Sequence, residues 1–518
     1  MNLVNKLLNF SFKWIRENKF LLCLALLYFV LRLINLTKLP IFNDEAIYLD
    51  WGWRETHRTG NLYYSLYDAK QPFLMWIFGI SESIFSDPLF AGRLVSVFAG
   101  LLTLVGIYKI TKDFFTQKAA LLAALFYIAV PIFSFYDRQA LMESSIAAVG
   151  IWSCFFILKS IKEKSSLKYP IFAGLILGIG LFIKSSSLVF LVSYAFFVLF
   201  HALYFKKMKM INNFFASSVI FLATVSLLLI NPQFWDTIGS NSRYTLTVSE
   251  LLAFPFVKWL QSFLANLQIG FYGITPLLFL ASLIGIIMIL RKKDLFKNIF
   301  LSFFIMAFLV TTFFVRTATE RYLISFLPFL VIPASYLTFL FFAKNKIFGT
   351  CLMVIIFIVP FCLTVFQVVR PANYLLAEEK LTYFDNSGYL HGFTSGYGIN
   401  GTVDYFKKIS VKNKITVTIA ENTGNPESAI IDYFNKSLSV QVVYMDARIF
   451  GPGINVYDCF SSSVPLYFVA RGEQLAGLNK YLEKLKMIKN PYGSNAIGIY
   501  VLKKNCKGKT FQLNPMST

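Results

Sequence analysis

Eleven long apolar stretches recur along the first 370 residues, at 20–37, 89–110, 119–135, 144–160, 170–184, 187–205, 214–230, 270–290, 298–315, 322–342 and 347–369. The hydrocarbon core of a bilayer takes roughly 20 mostly apolar residues per helix, so each stretch predicts a transmembrane helix, 170–184 being short for the purpose. Two mixed stretches interrupt the series, 38–88 after the first span and 231–269 between the seventh and eighth. Both interleave Trp, Tyr and Phe with scattered charge, the pattern of amphipathic helices lying at the interface. From about residue 371 the pattern becomes that of a soluble chain. Short β-rich runs at 414–420, 438–445, 465–470 and 496–502 alternate with helical periodicity at 401–409, 426–435 and 473–487, which predicts a small α/β domain. The expected fold is therefore an α-helical polytopic membrane protein of about eleven spans over residues 1–370, followed by an α/β domain at 371–518.

Composition agrees. Of 518 residues, 56% are hydrophobic and 15% charged, with 57 Phe, and the mean hydropathy is +0.61. That balance excludes a soluble enzyme, a disordered chain and a fibrous repeat. The net charge of +22 changes the picture only once its placement is read. Nineteen basic residues, from Lys6, Lys13, Arg16 and Lys19 through Lys112, Lys159, Lys206 and Arg291 to Lys344 and Lys346, sit in alternate loops that hold four acidic residues. By the positive-inside rule these loops and the N-terminus are cytoplasmic, and an odd number of spans puts the C-terminal domain outside. The charge reports topology, and no nucleic-acid partner is expected. The first apolar run lacks a small-residue cleavage site and reads as a retained span. Cys459 and Cys506 fall in the C-terminal domain, either paired or free, and no CxxC spacing supports a zinc site. The histidines, His57, His201 and His391, read as structural.

Candidate chemistry collects at the outside ends of the spans. Asn43-Asp44-Glu45 opens the first outside segment, where adjacent acids serve either as first-turn partners of the helix dipole or as a general base for an incoming hydroxyl or amine. Lys70, before Gln71-Pro72, either snorkels at the interface or meets a lipid phosphate. Arg93, Arg138, Lys184 and Arg321 sit where positive residues are scarce. An anionic ligand accounts for them, and so does pairing with Asp137, Glu143 or Glu320; Arg93 reads as structural.

Taken in order, Asp44-Glu45, Lys70-Gln71-Pro72, Arg93-Leu94-Val95-Ser96, Arg138 through Glu143, Gly180 through Lys184 and Glu320-Arg321-Tyr322-Leu323 resemble the multispanning GT-C glycosyltransferases. Among these, the branch of protein O-mannosyltransferases and aminoarabinose transferases is the most similar. The resemblance runs over about residues 20–345 and implies transfer of a sugar from a polyprenyl-phosphate carrier to an acceptor protein, lipid or glycan at the outer membrane face. It implies Asp44 as base with Glu45 in support, Lys70 on the carrier phosphate, and Arg138 and Arg321, with Tyr322 and Lys184, around the leaving phosphate. Two departures stand out. Lys-Pro-Pro of the family is Lys-Gln-Pro here, and Ala69 replaces a Glu that some members place before the Lys, so neither a metal nor another cofactor is predicted. Neither a Walker loop nor a Rossmann fingerprint occurs. A transporter would carry mid-span charges or internal repeats, which the pattern lacks; a scaffold displaying the C-terminal domain would not need the Asp44, Lys70 and Arg set. The Lys-, Asn-, Phe- and Ile-rich usage suits a prokaryotic plasma-membrane protein.

Overall fold

A computed structural model describes residues 19–163, 166–205, 208–240, 243–292, 294–420, 426–445, 465–471 and 482–502. All eleven apolar stretches are mainly helical, three of them interrupted, at 130, at 274–275 and at 324–326. In chain order the helices are α1 (Lys19–Leu33), α2 (Asn43–His57), α3 (Phe73–Ile84), α4 (Pro88–Phe114), α5 (Gln117–Ala129), α6 (Pro131–Tyr136), α7 (Glu143–Lys162), α8 (Lys168–Ile183), α9 (Leu188–Phe205) and α10 (Met208–Leu229). There follow α11 (Pro232–Ser240), α12 (Val248–Leu252), α13 (Phe256–Gly273), α14 (Pro276–Arg291), α15 (Leu295–Phe314), α16 (Glu320–Leu323), α17 (Val331–Lys344) and α18 (Lys346–Val369). Among the described residues six helices are long and apolar enough to cross a bilayer, and α13 with α14, bent by 116°, has the form of a broken span or a re-entrant loop. The chain is a multi-pass membrane protein.

Local chemistry sets the breaks. Pro131 lacks an N–H and starts α6 after α5 ends. Thr275, at φ 72°, turns the chain between α13 and α14, and Pro276 begins the next helix; a β-branched residue there is a strained corner.

The chain clusters into two compact units. One comprises the residues up to Leu36, Ser65–Leu74 and Arg93–Arg370; the other comprises Thr37–Tyr64, Met75–Gly92 and the residues from Pro371 on. The 38–88 stretch, expected to belong with the spans, is thus divided, and most of it packs with the C-terminal domain.

In the span unit, small residues let helices approach without hydrophobic solvent to drive them. A Cβ on Gly174 of α8 would come 2.3 Å from the Ser217 carbonyl of α10, and one on Gly285 of α14 would come 2.2 Å from the Pro333 carbonyl of α17. A charged knot ties α1 to the 136–144 region. Arg32, fully buried, meets Asp137 at 3.1 Å, and Tyr127, Ser144 and Tyr28 donate to the same carboxylate at 3.1, 2.9 and 3.3 Å. Removing one partner of such a pair leaves an uncompensated buried charge, at roughly 3–5 kcal/mol. Asp137→Ala is therefore expected to lower the thermal unfolding midpoint in detergent by several degrees; an unchanged midpoint would contradict a paired Arg32.

In the other unit a five-stranded sheet has the order β2-β1-β3-β5-β4, from β1 (Ile415–Ala420), β2 (Val440–Met445), β3 (Leu466–Arg471), β4 (Leu482–Lys489) and β5 (Ala496–Leu502). Strand β1 runs parallel to both β2 and β3, while β5 is antiparallel to β3 and β4. Helices α19 (Pro371–Leu381), α20 (Ser387–Leu390), α21 (Ile399–Ile409) and α22 (Ala429–Phe434) complete the domain. One expectation is corrected. The 473–487 run reads as an amphipathic helix, but 482–489 is edge strand β4, bulged between Lys484 and Lys486. Its exposed Glu483, Lys484 and Lys486 are the charges that guard an open sheet edge. Residues 472–481 lie outside the described residues, as do Cys459 and Cys506.

Candidate active site

The turn before α3 presents Lys70. The 3₁₀ turn Tyr64–Asp68 is closed by Ala69 in the left-handed region at φ 60°, and the Lys70 N–H donates to the Ser65 carbonyl at 3.2 Å. A non-glycine residue at that φ is uncommon, and it fixes the direction in which Lys70 leaves the backbone. The next side chain, Gln71, is buried and donates to the hydroxyl of Ser185, directly after Lys184. The Lys70-Gln71 and Lys184-Ser185 elements are thereby tied together across 114 positions of sequence.

Lys184 ends α8, and α16 supplies Arg321. Both converge on Glu143 at the start of α7: Lys184 Nζ and Arg321 Nε each lie 3.0 Å from Glu143 Oε1. Glu143 is 1% exposed, whereas its cations remain about a quarter exposed. A cation–π contact orders each lysine: Lys70 lies over the ring of Tyr244 (5.3 Å) and Lys184 over that of Tyr322 (5.6 Å). Two cations therefore share one buried carboxylate, with Lys70 tied alongside through Gln71 and Ser185, an excess of positive charge suited to a phosphate. Beside Arg321, burial pushes the Glu320 carboxyl up, and Tyr136 donates to it at 3.4 Å.

Tyr244 is delivered by a strap. Thr245 forms a β-bridge with Val315, the Arg316 N–H donates to the Tyr244 carbonyl at 2.8 Å, and Arg316 clasps Glu250 through both terminal nitrogens at 2.9 and 2.8 Å. The Thr247 N–H, first, and the Arg316 guanidinium hold Glu250 down to about 2. Nothing in the sequence pattern pointed to Tyr244; the one available signal was its aromatic character in an interfacial stretch.

Arg138 does not join this cluster. Its guanidinium donates to the carbonyls of Leu31, Arg32, Ile34 and Asn35 at 2.8–3.0 Å. It caps the C-terminal end of α1, whose last carbonyls have no partner within the helix. Arg93 is likewise structural, fully buried and bonded to the Leu36 carbonyl (2.8 Å) and to Gln139 (3.3 Å).

Asp44 and Glu45 belong to the other unit, on the first turn of α2. Phe42 is the N-cap. Glu45 is fully buried and accepts the Phe42 N–H at 2.8 Å, which satisfies an orphan donor of the helix start. That bond helps to fix the turn. Asp44 is half-buried and receives the Asn43 amide at 3.3 Å. Among the described residues no group of three or more His, Cys, Asp or Glu is placed to hold a metal.

Comparison with known proteins adds the context. The family of dolichyl-phosphate-mannose-protein mannosyltransferases matches residues 69–230; no curated protein matches the chain by sequence alone. Among solved structures, ArnT from Cupriavidus metallidurans, bound to undecaprenyl phosphate, is 14% identical with a TM-score of 0.58, covering 96% of this chain and 99% of its own. The Archaeoglobus fulgidus oligosaccharyltransferase, solved with zinc and sulfate, is 14% identical with a TM-score of 0.52, covering 92% of this chain and 72% of its own. The oligosaccharyltransferase AglB from Archaeoglobus fulgidus, in complex with an inhibitory peptide and a dolichol phosphate, is 12% identical with a TM-score of 0.52, covering 95% of this chain and 75% of its own. At these identities the likeness is one of architecture, and it is consistent along nearly the whole chain: this protein has the GT-C glycosyltransferase fold.

Proposed function

We propose that the protein is a membrane glycosyltransferase that moves a sugar, a hexose or a pentose, from a polyprenyl-phosphate carrier to an acceptor protein, lipid or cell-envelope glycan. The observation that carries this reading is the meeting of Lys184 and Arg321 on the buried Glu143, with Lys70 tied alongside through Gln71 and Ser185. A lipid phosphate leaving group needs cations fixed where charge develops, and a cluster already held in place needs no reorganisation at the moment of reaction. ArnT was solved with undecaprenyl phosphate bound and shares this fold, which supports a carrier of that class. By motif, Asp44 takes the proton of the acceptor hydroxyl or amine as its oxygen or nitrogen bonds to the anomeric carbon. The bond from that carbon to the phosphate oxygen breaks, and polyprenyl phosphate leaves with the electron pair. Direct attack inverts the anomeric centre. The positive-inside pattern supports a cytoplasmic N-terminus and an outside domain at 371–518 after the spans of 1–370, and the residue usage suits a prokaryotic plasma membrane.

Lys70→Ala tests the phosphate assignment. It is expected to raise the KM for the polyprenyl-phosphate sugar, and to weaken binding of polyprenyl phosphate alone, by about tenfold, the order of one charge-assisted hydrogen bond. Unchanged binding of polyprenyl phosphate would remove Lys70 from the site.

A further inference from the structure

The unit built on the C-terminal domain grips α2 at both ends. At the N-terminal end, the Phe42 ring lies 4.4 Å from that of Tyr389, the Asn43 N–H donates to the Thr394 carbonyl at 3.2 Å, and Gly396 presses on the Ile41 carbonyl so closely that a Cβ would come within 1.9 Å. At the other end, the Lys436 ammonium covers the Trp53 ring at 5.4 Å and donates to the carbonyls of Glu82 and Phe85.

Between these grips α22 packs on α2 and carries Asp432, which is 2% exposed and has neither carboxylate oxygen bonded. On α3, Glu82 is 1% exposed and meets the residue directly after α22: one oxygen receives the Asn435 amide at 3.4 Å and the other is unbonded. The surrounding charges are otherwise engaged. On α2, Arg54 holds Asp50 at 2.8 Å, Glu55 is buried, and His57 bonds the Ser83 hydroxyl at 2.9 Å. In the turn before α22, Glu427 pairs with Arg471. On α21, Asp404 is exposed, Lys407 lies over Tyr433 at 6.0 Å and Lys408 is exposed; residues 440–443 of β2 carry no titratable side chain. Two buried carboxyls with a single long amide bond between them are tolerable as acids and costly as anions. Burial first, then the charge of Glu82 and of Asp50 on Asp432, and that of Asp50 on Glu82, push both carboxyls well up from the ordinary carboxylate range, against Arg54 beside Asp432 and against Lys436 and the Asn435 amide beside Glu82.

We propose that Glu82 and Asp432 form a proton-holding latch by which the C-terminal domain grips the helix bearing Asp44, closed while both carboxyls keep their protons and loosened when they ionise. The effect on sugar transfer rests on the proposed role of Asp44; the latch itself does not. The sign follows from linkage. Groups with raised folded-state values bind more protons folded than unfolded, so the stability they contribute is full below the ordinary carboxylate range and is lost as pH rises through their folded values.

The test follows the unfolding midpoint of the full-length protein in detergent from pH 5 to 9, with hydrogen exchange over residues 43–57 corrected for the intrinsic rate. Wild type is expected to lose stability, and to exchange faster in 43–57, as pH rises. Asp432→Asn and Glu82→Gln, which mimic the protonated groups, are expected to melt higher than wild type at pH 8–9 and to lose most of the slope. Variants that melt lower at every pH with the wild-type slope overturn the latch. A flattened slope in variants of a protein that transfers no sugar would uphold the latch and remove only the assignment of Asp44.

Discussion

Asp44→Asn is expected to lower the rate of sugar transfer by about 10²–10⁴-fold, the usual contribution of a positioned general base, while leaving the fold intact. The substitution keeps the volume of the side chain and an oxygen to receive the Asn43 amide, and Glu45 accepts the Phe42 N–H at the start of α2. What it removes is an acceptor for a proton. The loss should appear in kcat with little change in the KM for the donor, since donor binding is assigned to other residues. A variant with wild-type kcat would take the base role away from Asp44, and retention of configuration in the product would exclude direct attack by the acceptor.

Arg321→Ala is expected to lower kcat by about 10²–10³-fold, the loss seen when one preorganised donor to a developing anion is removed. Arg321 shares Glu143 Oε1 with Lys184, so its removal withdraws a charge from the leaving phosphate and ties Lys184 more closely to the carboxylate. Arg321→Lys should recover part of the loss, because charge is retained without the planar fork. Glu143→Gln gives the contrast: both cations stay, less firmly placed, so donor binding survives while kcat falls. If Arg321→Ala raised only the KM, Arg321 would be a binding residue without a part in the transition state.

Much of this architecture was legible before any coordinates. Apolar runs of span length and a one-sided distribution of Lys and Arg are strong signals because a bilayer permits few alternatives, and each of the eleven runs is mainly helical. The strands β1, β2, β3 and β5 were legible from β-branched alternation. Edge strand β4 was not, because leucines at 475, 478, 482 and 485 carry helical spacing as readily as strand spacing, and pairing with β5 decides.

At the site, motif order pointed to Lys70, Lys184 and Arg321 but could not separate a cation that faces a ligand from one that caps a helix. Arg138 illustrates this: its commitment to four carbonyls at the end of α1 depends on a contact more than a hundred positions away. Glu143 had been visible only as a neutralising partner, and its burial is what makes it an anchor for two cations. The packing of 37–64 with the C-terminal domain left no local trace either, because Gly396 and Thr394 are unremarkable until Ile41 and Asn43 lie against them.

The central claim is tested most directly with purified protein in liposomes, given a radiolabelled polyprenyl-phosphate sugar and a membrane extract as the source of acceptor. The account predicts that label moves to the acceptor with release of one polyprenyl phosphate per sugar transferred, and that Asp44→Asn and Arg321→Ala suppress both. Neither transfer nor release of carrier phosphate, across hexose and pentose donors and with the protein shown to be folded, would contradict it.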